Sequence, residues 1–562
     1  MAKTLERSPE SRSASTPEDS SQAKSVVRSA GLMSVATMLS RVTGLVREMV
    51  MASLFGARPE ADAFRLAFTL PNLTRDLFAE GALSAAFVPT FTEYLTLKGK
   101  EQAARLANLV ATAVILIVGS VSLLGVLGAP VLVGLFAPGF GNTPGKTDLA
   151  IHLTRIMFPF LLLVALAAQA MGVLNACNQF GVPALASSLF NVISVVSGLA
   201  LGYVAGPRVG LSPIEGMAWG VVIGGACQLF GQMPSMVRKG FSFRPAIDWS
   251  HPGLRQIVRL MGPAVLGGAA VQINVFVNTN LATGIIDPVR GADGAVSWLQ
   301  YAFRFFQLPL GLFGVALASA TTPAISRSFA SGNHEEFRRT LSRSLGVVLL
   351  MTVPSSIGLV VLGGDMISAV FEHGEFDSYD ARQTALALSY YAIGLVSYSG
   401  AKLLTPAFYT LKDSRTPMLV SLGSIAINFV VATGLVRLTG LGHAGLALST
   451  SAVATFSFLC LFAILRARIG GIYGRGLAGS ALRMAVAGAA MGLAVSAMQL
   501  AIHSWMGAGR WSSLVNLAVC VPAGLGVFYA VCRLLRVAEL DLAVAGMMGP
   551  FQRWIPGFRA RV

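Results

Sequence analysis

Arg41, Arg47, Arg75 and Arg304 stand in long apolar stretches where a membrane helix should carry no charge. A guanidinium donates paired hydrogen bonds in a planar fork and stays ionised, which suits a phosphate or pyrophosphate. A charged side chain at bilayer depth costs about 2.5–3.5 kcal/mol on insertion scales. Such residues persist where they face water, one another or a charged ligand, so the set predicts a polar, cationic cavity that takes an anion. Glu48, Asp62, Asp76 and Glu80 share the same N-terminal stretches, and Arg65 and Lys402 are further cations in apolar runs. Arg41 and Glu48 are seven residues apart and share a helix face, with Arg47 beside it. The competing reading is that the arginines satisfy the nearby acids in buried pairs. Arg65 and Lys402 also have stems long enough to reach the membrane surface.

The elements that must position these charges are membrane helices. The chain has 562 residues, 54% hydrophobic and 12% charged, with mean hydropathy +0.67. That composition describes an all-α polytopic membrane protein and excludes a soluble enzyme. The net charge of +16 lies mainly in short loops, so it argues for membrane orientation and against a nucleic-acid partner. The five cysteines form no CxxC pair and read as small apolar residues within spans.

Apolar runs bounded by Gly, Pro and charges give about 14 spans. With a cytoplasmic N-terminus, the inner loops hold about four times more Lys and Arg than the outer ones. An even number of spans places both termini in the cytoplasm. Residues 1–28 lack the apolar core of a signal peptide and are expected as a disordered cytoplasmic tail.

Leu77-Phe78 through Ala82-Leu83, Ala86 and Pro89 is echoed by Leu312-Phe313 through Ala316-Leu317, Ala320 and Pro323, about 234 residues on. This offset of six spans predicts two six-helix lobes as parallel repeats around a central cationic cavity, plus two C-terminal helices. The expected divisions are an N-terminal lobe at 29–240, a C-terminal lobe at 241–470, the last two spans at 471–540 and a cytoplasmic tail at 541–562. Arg41, Arg75 and Arg304 come from both halves and would meet only in the central cavity. No P-loop, HExxH or GxSxG occurs and the six histidines are dispersed, so neither an enzyme, a metal site nor a cofactor is expected. Energy for transport would come from a coupling ion, the membrane potential or the substrate gradient.

Several stretches resemble the MurJ (MviN) lipid II flippases of the MOP exporter superfamily. They include Leu39-Ser40-Arg41 through Glu48, Asp62-Ala63-Phe64, Leu70-Pro71-Asn72 through Ala82, Phe136-Ala137-Pro138-Gly139-Phe140, Gln307-Leu308-Pro309 through Ala316, and Pro406-Ala407-Phe408-Tyr409. The resemblance covers most of the chain from about residue 28 to 415. It implies alternating-access transfer of an undecaprenyl-pyrophosphate-linked peptidoglycan precursor across the cytoplasmic membrane of a bacterium. It also implies that the last two helices form a groove for the lipid tail, and that Arg41, Arg47, Arg75 and Arg304 serve function. Ser40, Glu48, Asp62, Asn72 and Glu80 match other polar family positions, and Lys402 would support the cavity. Membrane lipids and cell-wall synthesis enzymes are the further partners implied.

Two departures stand out. Phe303 precedes Arg304 where the family usually has Asp or Asn, and Asp76 follows Arg75 where a basic residue is frequent. Some members carry acidic residues for a sodium site in the second lobe, where the candidates here, Asn274, Asn278 and Asn428, are neutral. The alternatives to a lipid II flippase are a carrier of another polyprenyl-pyrophosphate glycan, a multidrug exporter and a non-transporting cell-wall scaffold. A drug exporter would want a carboxylate-dominated cavity, which the arginines oppose.

Overall fold

The structure is a computed structural model describing residues 17–77, 83–472, 474–507 and 509–548. Glu80 and the outer parts of both expected tails lie outside the described residues. In chain order the helices begin α1 (Pro17–Phe55), α2 (Pro59–Arg75), α3 (Ser84–Glu93), α4 (Gly99–Leu127), α5 (Ala129–Phe136) and α6 (Lys146–Met157). Then follow α7 (Phe160–Ala176), α8 (Gly181–Leu199), α9 (Gly206–Val209), α10 (Pro213–Phe230), α11 (Met233–Arg238) and α12 (Pro252–Thr283). The second half holds α13 (Ala295–Pro309), α14 (Ala316–Ala330), α15 (His334–Phe371), α16 (Ser378–Ile393) and α17 (Leu395–Thr410). The last are α18 (Arg415–Leu438), α19 (Gly442–Arg468), α20 (Gly474–Met506), α21 (Arg510–Leu534) and α22 (Ala538–Met548).

The all-α membrane class holds. Among the described residues, 10 helical segments are long and apolar enough to cross a bilayer, so the expected figure of about 14 is not reached by this measure. The shortfall has local causes. The apolar half of α1 carries Arg41, Arg47 and Glu48, and the expected tenth span breaks at Gly394 into α16 and α17, 16 residues each. Large apolar side chains stay exposed along the spans, such as Leu123, Leu124 and Leu127 on α4 and Leu482, Leu493 and Leu500 on α20. In a lipid solvent such faces carry no penalty, and association rests on close packing and internal polar contacts.

Two compact units emerge. One comprises residues 1–47, 83–118 and 162–257. Within it α10 meets α8 and the π-helical turn Ala200–Ala205 that continues it through small residues: a Cβ on Gly216 would stand 2.3 Å from the Gly202 nitrogen, and one on Gly220 2.3 Å from the Ser194 oxygen. Only hydrogen fits there, so the two backbones touch, as small residues permit between membrane helices. Asn191 on α8 donates to the Ser40 carbonyl of α1 at 3.2 Å.

The other unit comprises residues 48–82, 119–161 and 258–562. Its long helix α15 packs against α14, α16, α17, α20 and α21. Leu341, Leu345, Phe408 and Leu465 centre one core here, and Met484, Met491, Cys520, Phe528 and Cys532 fill a second beneath the α20–α21 pair. All five cysteines are free, and Cys520 and Cys532 are buried among apolar neighbours, as small apolar residues should be. Gly56, at φ +56°, turns the chain between α1 and α2, and a Cβ there would stand 2.4 Å from the Glu375 carbonyl.

Candidate functional site

In the larger unit, α2 and α13 pack together and carry opposed polar residues. Asp62, 1% exposed, anchors the pairing. Its Oδ1 accepts from the Ser297 N–H at 3.0 Å and the Ser297 hydroxyl at 2.6 Å, and its Oδ2 accepts from the Gly294 N–H at 2.8 Å. These donors belong to the first turn of α13, so a carboxylate from α2 satisfies and caps another helix's N-terminus. Lys146 at the start of α6 adds its Nζ at 2.9 Å from Asp62 and 2.6 Å from Asp293. Lys146 is itself buried and its ammonium lies over the Phe140 ring. Lys146 stands in a short polar stretch between apolar runs, where the sequence gives no sign of a buried partner.

Further along α2 and α13, Arg65 and Arg304 meet Glu48 of α1 in one cluster. Both terminal nitrogens of Arg65 lie 3.3 Å from Glu48 Oε2, and Arg304 Nη2 lies 3.4 Å from Glu48 Oε1. Arg65 also donates to Gln300 Oε1 at 3.2 Å and stacks over Tyr301, 3.8 Å from the ring centroid. Arg65 is therefore buried rather than extended toward a surface. Glu48 is equally buried, whereas the Arg304 side chain is 48% exposed. The buried-pair reading and the ligand reading thus divide by residue: Arg65 is consumed by its pair, and Arg304 keeps an open face.

The other expected residues are placed as follows. Arg75 donates to Asp76 Oδ1 from Nη2 at 2.9 Å and from Nε at 3.2 Å, so the Asp76 departure supplies its neighbour with a counter-ion. Asn72 donates to the Phe68 carbonyl at 2.6 Å, and its buried Oδ1 has no partner. Lys402 is exposed near the Tyr398 ring. Phe303 packs on Phe306 and Tyr391, so it offers Arg304 nothing polar. In the smaller unit Arg41 is exposed, Ser40 is half-buried, and Arg47 lies 5.5 Å from the Phe190 ring centroid.

Asn274, Asn278 and Asn428 do meet, with Ser424, Ser449 and Thr450. Asn428 donates to Asn278 Oδ1 at 3.1 Å, Asn278 to Thr450 at 3.2 Å and Asn274 to Ser424 at 3.2 Å. Among the described residues no carboxylate joins this network, and Asn274 Oδ1 is buried in it without a partner. Among the described residues there is no group of three or more His, Cys, Asp or Glu arranged to hold a metal.

A second polar cluster ties α15 to the C-terminal pair. Asp365, 3% exposed, accepts from Gln499 at 2.8 Å and faces His503 Nε2 at 3.2 Å. Asn516 lies 2.7 Å from the same His503 nitrogen, and its buried Oδ1 has no partner. If Nε2 carries the proton, the Asn516 amide turns over and presents that oxygen. No sequence signal joined these residues, which come from three helices.

The many-helix membrane fold, with Arg304 half-open beside the buried Arg65–Glu48 pair, is shared with solved transporters. The fold matches a solved lipid II flippase MurJ in an inward closed conformation, with TM-score 0.71 and 25% identity over 90% of this chain and 99% of that one. An inward-facing multidrug MATE transporter of the MOP superfamily shares the fold, with TM-score 0.64 at 15% identity over 77% of this chain and 94% of that one. The family model described as lipid II flippase MurJ matches residues 51–519. The lipid II flippase MurJ of Burkholderia cenocepacia is 35% identical over 441 residues, covering 78% of this chain and 83% of that protein. The probable lipid II flippase MurJ of Vibrio cholerae is 32% identical over 531 residues, covering 93% and 98%. The chain belongs to the MurJ lipid II flippase family.

Proposed function

We propose that this protein carries lipid II from the inner to the outer leaflet of a bacterial cytoplasmic membrane by alternating access. Family membership supports the cargo. The observation that carries the chemistry is the Glu48 cluster, where two guanidiniums face one carboxylate and Arg304 keeps an open face. A pyrophosphate is the ligand such a group takes.

In this reading Arg41, Arg75 and Arg304 bind the pyrophosphate, and Arg47 lines the cavity or its gate. Ser40, Glu48, Asp62, Asn72, Glu80 and Lys402 support them. The two repeats rock about this site while the polyprenyl tail stays in lipid along α20 and α21. Both termini face the cytoplasm. Moving an emptied cationic cavity inward is favoured by an inside-negative potential, by about 2.3 kcal/mol per charge per 100 mV. The protein makes and breaks no covalent bond, and cell-wall synthesis enzymes supply and consume its cargo.

The test is depletion in the native cells, reading lipid II in the outer leaflet by its cleavage with an added lipid II-degrading toxin. Lost cleavage, restored by wild type and not by an Arg41→Ala/Arg75→Ala variant that still inserts, is expected. Unchanged cleavage in cells lacking another flippase would sink the reading.

A further inference from the structure

We propose that Arg65 is a positioning residue for Arg304, acting through Glu48, and that it sets the charge with which the site meets its anion. The proposal rests on the reading of Arg304 as a pyrophosphate ligand. Arg65 does not present itself to a ligand, because its side chain is 7% exposed and both terminal nitrogens are turned to Glu48 Oε2. The Tyr301 ring covers one face of the guanidinium, and Gln300, itself donating to Thr69 at 3.2 Å, holds Nη1. Such a planar group between a ring and a carboxylate has little freedom.

That rigidity passes to Glu48. Its Oε2 accepts from Arg65 and its Oε1 from Arg304. Phe303 gives Arg304 no polar support, so Glu48 is the acid that orients it. The charge count follows. Two guanidiniums against one carboxylate leave one positive charge, and it is exposed only at Arg304. An arriving anion takes Arg304 while Glu48 remains neutralised by Arg65. Without Arg65, more of the carboxylate charge falls on Arg304, and an anion must compete with a stronger ion pair.

The test measures lipid II binding to the purified full-length protein in nanodiscs, with thermal midpoints alongside. Arg65→Met should weaken binding about tenfold, the effect of one unit charge at roughly 10 Å in an effective dielectric of about 20. Arg65→Lys keeps the charge and should recover part of the loss. Arg65→Met/Glu48→Gln restores the single positive charge and leaves no unpaired buried ion, so it should fold even where Arg65→Met does not and recover most of the affinity. A purely structural role predicts no such recovery. Wild-type affinity in Arg65→Met, or no recovery in a folded double variant, overturns the proposal. If Arg304→Gln also binds as wild type does, it is the pyrophosphate site that fails.

Discussion

Lys146 and Asp62 form a buried ion pair at 2.9 Å, between the first residue of α6 and the first turn of α2. Asp62 also holds the N-terminus of α13, the helix that carries Arg304. Lys146→Met leaves that carboxylate buried with hydrogen bonds but without its cation. Removing one member of a buried pair costs about 3–5 kcal/mol, so the thermal midpoint should fall sharply. Lys146→Met/Asp62→Asn removes the fully buried unpaired charge, leaving only the partly exposed Asp293 without its cation, and should recover part of the loss. A single variant as stable as wild type would show the pair to be dispensable.

Asp76 is the counter-ion of Arg75, and both are partly exposed. An exposed pair contributes about 1 kcal/mol or less, and removing the Asp76 charge leaves the proposed cavity one unit more positive. Asp76→Asn should therefore tighten lipid II binding by up to about fivefold and slow its release. Equilibrium binding in nanodiscs and single-cycle release in vesicles measure the two effects. Weaker binding would mean that Asp76 orients Arg75 more than it neutralises it.

The charges in α1 and α2 were legible because an ionised residue in an apolar run has no innocent explanation. Their pairings were not. Arg65 finds Gln300 at a separation of 235 residues and Lys146 finds Asp62 at 84, and nothing local encodes either meeting. Asn274, Asn278 and Asn428 stand out through the family resemblance, as neutral residues in the lobe where some members carry a sodium site. Their closure through Ser424, Ser449 and Thr450 needed the packing of α12, α18 and α19. The cysteines read correctly because a scattered thiol without a partner motif is only a small apolar group.

His251 precedes α12 and packs on the Tyr94 ring, with Nδ1 buried and unpartnered. Burial holds its pKa below the ordinary histidine value, although Asp248 opposes the shift. His373, in the loop after α15, is lowered for the same reason, helped by Arg510. A depressed folded value means that the unfolded chain binds the proton first as pH falls. Stability from these residues is therefore complete above about pH 6.5 and is lost as pH drops through the folded values. The thermal midpoint should fall between pH 7.5 and 5.5, and His251→Gln/His373→Gln should shrink that fall. An equal fall in the double variant would assign it to other groups.

Asp365 sits where α15, α20 and α21 meet, and its partners Gln499 and His503 lie on α20. Arg510 at the start of α21 donates to the Ala369 carbonyl, so the outer end of the helix pair is held to α15 by polar contacts at two heights. Deeper in, Cys520 is fully buried. Asp365→Leu strands the Gln499 amide against an apolar side chain, at about 1–3 kcal/mol for the unsatisfied group, and leaves His503 with Asn516 as its partner. That cost falls on the seam between the pair and α15 and spares the apolar core around Met484 and Phe528. The outer halves of α20 and α21 should loosen while the rest of the unit stays protected. Cys520, retained as the only cysteine, should then react with a maleimide many times faster in Asp365→Leu than in its parent. Asp365→Asn keeps an acceptor oxygen and should react at an intermediate rate. Unchanged labelling in Asp365→Leu would show that apolar packing alone seats the helix pair, and the polar cluster would lose its structural role.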